Sequence, residues 1–88
     1  MERTWSIMEV LQWTARDLAA RGIPSARLDA EVLLAHVLGM ERVGLYVAHD
    51  RPLDARERAS FRQVVERRRA GEPVAYIRGT KEFWGLVF

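Results

Sequence analysis

Four stretches of the chain repeat apolar residues at the three- and four-residue spacing of an α-helix, and each is bounded by residues that start or stop one. In the first, Ile7, Val10, Leu11, Thr14 and Leu18 fall on one face. Ser6 and Glu9 form a capping-box pattern, in which the serine oxygen accepts an orphan amide and the glutamate three residues on reaches back. Trp5, just ahead of the cap, is placed to pack on Val10 as a hydrophobic staple. Gly22 suits the left-handed position that closes a helix, and Ile23-Pro24 prevents its continuation. The spacing predicts a helix from about Ser6 to Arg21.

The second stretch carries Ala26, Ala30, Leu33, Leu34, Val37 and Leu38, with Ser25 as its expected cap, Asp29 and Glu31 near its positive end, and Gly39 closing it. It is the most hydrophobic element and belongs at the centre of the molecule. A shorter helix over about Glu41 to Ala48 is expected to bury Val43, Tyr46 and Val47, or alternatively Leu45. It breaks at His49-Asp50-Arg51-Pro52, because the residue before a proline is driven out of the helical region. The fourth helix opens with Asp54 and Glu57 in a second capping box, buries Phe61, Val64 and Val65, and ends at Gly71 and Pro73. Pro73 to Arg78 has room for one more helical turn. Glu82 to Phe88 is aromatic and β-branched, and reads as strand.

Connections of two to six residues between such helices place neighbours antiparallel. The expected fold class is therefore all-α, a small up-and-down bundle of four to five helices over residues 1–79. The chain stops inside its last apolar run. An unpaired hydrophobic strand recruits other chains, so a further domain is expected beyond Phe88.

Composition narrows the picture. A chain of 88 residues with 49% hydrophobic positions makes one small domain with a real core. It holds no cysteine, hence no disulfide framework and no thiolate metal site. The N-terminus has no apolar signal region, and no apolar run is long enough to span a bilayer; a soluble, cytoplasmic protein is expected. The pI near 9.7 overstates the charge, since 14 basic groups stand against 12 acidic ones for a net charge of +2. That balance argues against a nucleic-acid binder, which concentrates positive charge.

Catalytic constellations are missing. The six glycines are never closer than five residues apart, which excludes a dinucleotide fingerprint or phosphate loop. His36 and His49 lie on different elements without carboxylates at metal-ligand spacing. Two charges border apolar stripes, Asp29 on the second helix and Arg68 on the fourth. Such groups are rarely buried unless paired, so Asp29 with Arg68, or Arg27 with a neighbouring carboxylate, is expected to tie two helices together. Arg67, Arg68 and Arg69 point about 100° apart on a helix and cannot form one patch. Their readiest role is to complement the helix dipole. Arg62 and Arg69 align with Arg58 along one face, a row suited to an acidic partner or to RNA phosphate.

The run from Gly22-Ile23-Pro24 through Ala26-Arg27-Leu28-Asp29-Ala30-Glu31 to Leu38-Gly39 resembles the second-helix signature of the release-factor glutamine methyltransferases, the HemK/PrmC family. Asp50-Arg51-Pro52-Leu53 is similar to the family's next loop. Arg67 to Gly79 and Glu82 to Phe88 are similar to its passage from helical domain to hairpin linker. The resemblance implies a five-helix N-terminal domain, with residues 80–88 beginning a β-hairpin that leads to an S-adenosylmethionine-dependent class I methyltransferase domain. It implies an activity on the glutamine side-chain amide of the Gly-Gly-Gln motif in bacterial release factors. The Asn-Pro-Pro-Tyr motif that grips this amide has no counterpart here, because the chain holds neither asparagine nor Pro-Pro. No catalytic or cofactor-binding residue is therefore carried over, and S-adenosylmethionine is expected only with the full-length enzyme. Arg67, Arg68, Glu72, Tyr76, Glu82, Phe83 and Trp84 are the candidates for docking a release factor. Tyr76, Phe83 and Trp84 equally suit packing against the methyltransferase domain. Two further readings compete, a small helical module binding RNA or the ribosome, and a free-standing protein-interaction bundle.

Overall fold

The computed structural model describes residues 4–79. The strand expected over Glu82 to Phe88 lies outside them, as do Glu82, Phe83 and Trp84. Within them the chain is all-α: α1 Ile7–Ala20, α2 Ala26–Leu38, α3 Arg42–Val47, α4 Ala55–Arg69, and a closing turn of helix, α5, over residues 74–79. α2 packs against α1, α3 and α4, the central place its hydrophobicity demands. The core takes Ile7, Leu11 and Leu18 from α1, Ala30, Leu33 and Leu34 from α2, and Leu45 from α3. Phe61 and Val65 of α4 and Ile77 of α5 complete it, with Leu53 inserted from a loop.

Local chemistry explains where the helices begin. Both expected capping boxes form, Ser6 with Glu9 and Asp54 with Glu57. At α1 every amide of the first turn has a partner, as burial requires. The Ser6 amide donates to Glu9 Oε1 at 3.1 Å and the Glu9 amide to Ser6 Oγ at 3.2 Å. The remaining amides, Ile7 and Met8, donate to the backbone carbonyls of Arg51 (2.9 Å) and His49 (3.0 Å). The seven residues between α3 and α4 thus cap the start of α1. The same loop pairs Ser6 with Pro52 in an isolated antiparallel bridge. Glycine stops the helices as the spacing predicted. Gly22, Gly39 and Gly71 all have positive φ, at 87°, 70° and 103°. Each closes a Schellman turn, for example Ile23 N to Leu18 O at 3.1 Å and Glu72 N to Arg67 O at 3.1 Å.

One expectation is decided between its alternatives and one fails. In α3 it is Leu45 that is completely buried, while Val43, Tyr46 and Val47 are 65%, 41% and 79% exposed. A six-residue helix has too few turns to define an apolar stripe, and its orientation is set by where Leu45 meets the core. Ser25 occupies the cap position of α2 but makes no cap bond. Its hydroxyl donates instead to Asp29 Oδ1 at 3.0 Å, because that carboxylate is held close by for another purpose.

Candidate functional site

The last turn of α4 brings Arg67, Arg68 and Arg69 out in three directions, and each grips a different carboxylate. Arg68 turns inward, where its Nε donates to Asp29 Oδ2 at 2.8 Å, with side chains only 19% and 8% exposed. Its Nη1 reaches the Glu72 carbonyl oxygen at 3.2 Å. One guanidinium therefore ties α2, the end of α4 and the turn into α5. Asp29, buried on one side, has both oxygens satisfied, by Ser25 and by Arg68, which is the condition for burying a charge.

Arg67 faces outward. Its Nε and Nη2 donate to Glu72 Oε1 at 3.0 and 2.8 Å, and the guanidinium carbon sits 6.0 Å from the centre of the Tyr76 ring. The hydrogen bond from Arg67 holds the Glu72 carboxyl below its ordinary value. Tyr76 itself is 65% exposed. Arg69 turns to α1, donating to Asp17 Oδ2 from Nε at 2.8 Å and pairing through Nη2 at 2.7 Å. Its guanidinium lies 6.0 Å from the Trp13 ring. Burial would raise the Asp17 carboxyl, but hydrogen bonds from Arg69 and Arg21 outweigh it and lower the value. The three arginines do more than complement the helix dipole, since each straps the end of α4 to a different element.

Arg27 does not meet Asp29. Its Nε donates to Glu31 Oε2 at 3.1 Å, and its Nη2 to the Tyr46 hydroxyl at 2.9 Å. Glu31, 6% exposed, also accepts from Tyr46 and, at 3.1 Å, from Arg42 Nε. Burial raises its carboxyl, and the hydrogen bonds from Tyr46, Arg42 and Arg27 more than reverse that. The carboxylate beside Arg27 is thus Glu31, and what the sequence did not indicate is that Arg42 and Tyr46 of α3 join it. The one local sign was the four-residue step from Arg27 to Glu31.

Between α1 and α4 the surface opens into a groove of about 390 Å³. Val10, Trp13 and Thr14 of α1 face Phe61 and Val65 of α4 across it, with Trp5 at one end. Arg58, Arg62, Glu66 and Arg69 line its α4 edge. Trp13, 51% exposed, is the largest apolar surface on its wall. Neither the groove nor Trp13 was legible as a site from periodicity, which assigns faces to helices but not the gap between two of them.

Among the described residues these side chains form ion-pair straps between helices and the walls of one groove. Among the described residues no three of His, Asp or Glu converge as metal ligands, and no helix is long and apolar enough to cross a membrane. The positive-φ glycines among the described residues all sit at helix ends. The class is that of a small all-helical domain. Over residues 9–79 the sequence matches the family model described as the PrmC N-terminal domain, and the chain belongs to that family. It is 51% identical over 84 residues to the release factor glutamine methyltransferase of Geobacter sulfurreducens, covering 96% of this chain and 30% of that protein. The release factor glutamine methyltransferase of Chlorobaculum tepidum is 44% identical over 87 residues, covering 99% of this chain and 30% of the relative. That of Leptospira interrogans is 40% identical over 88 residues, covering 100% and 31%. The chain thus spans roughly a third of the length of these curated relatives. No solved structure matches it significantly.

Proposed function

We propose that this chain is the substrate-docking domain of a cytoplasmic, S-adenosylmethionine-dependent protein-glutamine methyltransferase acting on the Gly-Gly-Gln glutamine of bacterial release factors. The observation that carries the reading is the family membership over residues 9–79, joined to close relatives that bear the name release factor glutamine methyltransferase. In this reading the remainder of the enzyme binds the cofactor and the reacting glutamine amide of the release factor. A docking domain has a clear use in this chemistry. An amide nitrogen is a weak nucleophile, so the rate depends on holding it in line with the methyl donor. Binding energy from contacts remote from the reacting atoms supplies that positioning.

The candidate residues differ in what they already hold. Arg68 is committed to Asp29 and the Glu72 carbonyl, which makes it a structural tie at the exit of the bundle. Arg67, Glu72 and Tyr76 present an outward surface beside that exit. They suit contact with the release factor or with the methyltransferase domain that follows. Calorimetric titration of this chain with a purified release factor tests the reading, and micromolar or tighter binding is the expected result. Arg67→Ala and Tyr76→Ala then separate the two contacts. If the release factor does not bind, and both variants alter only the stability of the full-length enzyme, the surface serves the domain interface instead.

A further inference from the structure

We infer that the groove between α1 and α4 is a docking site for an acidic amphipathic helix of a protein partner. This deepens the docking reading and rests on it only for the identity of the partner.

The shape follows from the helices that make it. Arg58, Phe61, Arg62, Val65, Glu66 and Arg69 recur at three- and four-residue steps along α4, so one face of three turns, about 16 Å long, borders the groove. Val10, Trp13 and Thr14 form the matching wall on α1. Two helix walls with apolar side chains between them accept the ridge of a third helix.

The charge selects the partner. The rim holds three arginines against one glutamate, an excess equal to the formal net charge of the whole chain, +2. Asp17 answers Arg69, whereas Arg62 makes no ion pair among the described residues. Arg62 therefore meets an incoming carboxylate at no cost to an existing contact. Arginine and tryptophan are also the side chains that dominate protein interfaces, and Trp13 stands half out of the surface beside Arg69. A nucleic acid fits less well, because its phosphates form a continuous row that must pass Glu66, whereas the carboxylates of a helix can be spaced to meet Arg62 and leave Glu66 unopposed.

The test uses the ¹⁵N-labelled chain and four probes. These are a synthetic amphipathic helix with Leu and Trp on one face and Glu on its flanks, the same peptide with Lys for Glu, an oligouridine, and a purified release factor. The acidic helix is expected to shift the amides of Val10, Trp13, Phe61 and Val65. Arg62→Glu should weaken it at least about tenfold, with Arg62→Lys restoring most of the loss; Arg62 is exposed, so the fold survives either change. The release factor should move the same amides and be displaced by the acidic helix. Equal binding of the Lys peptide, occupation by oligouridine in preference to either peptide, or an acidic helix that leaves the groove unmoved overturns the proposal. Release-factor binding that ignores Arg62→Glu and shifts only residues near Arg67 and Tyr76 overturns the groove while leaving the docking function standing. Occupation by the acidic helix without any release-factor binding does the reverse.

Discussion

α1 has two flanks, and they are built on opposite principles. Toward α2 it presents Ile7, Leu11 and Leu18, each with no exposed surface, against Ala30, Leu33 and Leu34, which are equally buried. Toward α4 it presents Val10 and Trp13 to an open groove. That flank closes at one end through Arg69, paired with Asp17 and stacked on Trp13. Stability resides on the first flank, because burial of apolar surface is the dominant favourable term and scales with area removed from water. The second flank leaves apolar surface wet and holds its edges with ion pairs that contribute little.

The comparison can be broken most sharply at the packed flank. Leu34→Ala should cost about 3 kcal/mol, from lost transfer energy and the cavity left behind, a large share of what a domain this size possesses. Guanidinium denaturation measures it, and a loss below about 1 kcal/mol would show that the core is not concentrated there. Next in size is Asp29→Ala, expected to cost about 2–3 kcal/mol by leaving the Arg68 guanidinium, 19% exposed, without its carboxylate. If the strap is what matters, adding Arg68→Met should recover part of that loss, and no recovery would assign the cost to packing alone.

Acid should weaken the straps before it touches the apolar flank. Glu31 and Asp17 have carboxyls held below their ordinary values of 4.5 and 3.8. The unfolded chain therefore takes up protons first as the pH falls. The stability these groups supply is complete above those values and is lost as the pH drops through the lower folded-state ones. Thermal melts should be level near neutrality and fall off below pH 4.5, and Glu31→Gln should flatten part of that slope. An unchanged slope in the variant would remove Glu31 from the account. The smallest effect is expected at the open flank, where Trp13→Ala should change stability by about 0.5 kcal/mol or less. A loss above about 2 kcal/mol would make Trp13 a core residue and the groove a packing fault.

The helix ends were readable because they depend on neighbours a few residues apart. Ser6 with Glu9 and Asp54 with Glu57 form their boxes within one turn, and Gly22, Gly39 and Gly71 need only their own backbone freedom to close a Schellman turn. The buried stripe of α1 and the central place of α2 followed from periodicity over 14 and 13 residues. Those helices are long enough to show which side is apolar. The motif runs through Asp29-Ala30-Glu31 and Arg67-Arg68-Arg69 carried the family as well.

Tertiary structure alone decided the rest. α3, with six residues, holds too few positions for a pattern to outvote the single contact of Leu45 with the core. Ser25 looks like a cap in sequence, but Arg68, 39 residues beyond Asp29, fixes the carboxylate that draws its hydroxyl away. Glu31 gathers Arg42 and Tyr46 from another helix, and the groove exists only where α1 and α4 diverge. Local sequence determines what depends on a few adjacent dihedrals and on one face of one helix. Pairings of buried charge, and the gaps between helices, depend on how several elements meet, because a charge is stabilised by whatever the whole fold brings within about 3 Å of it.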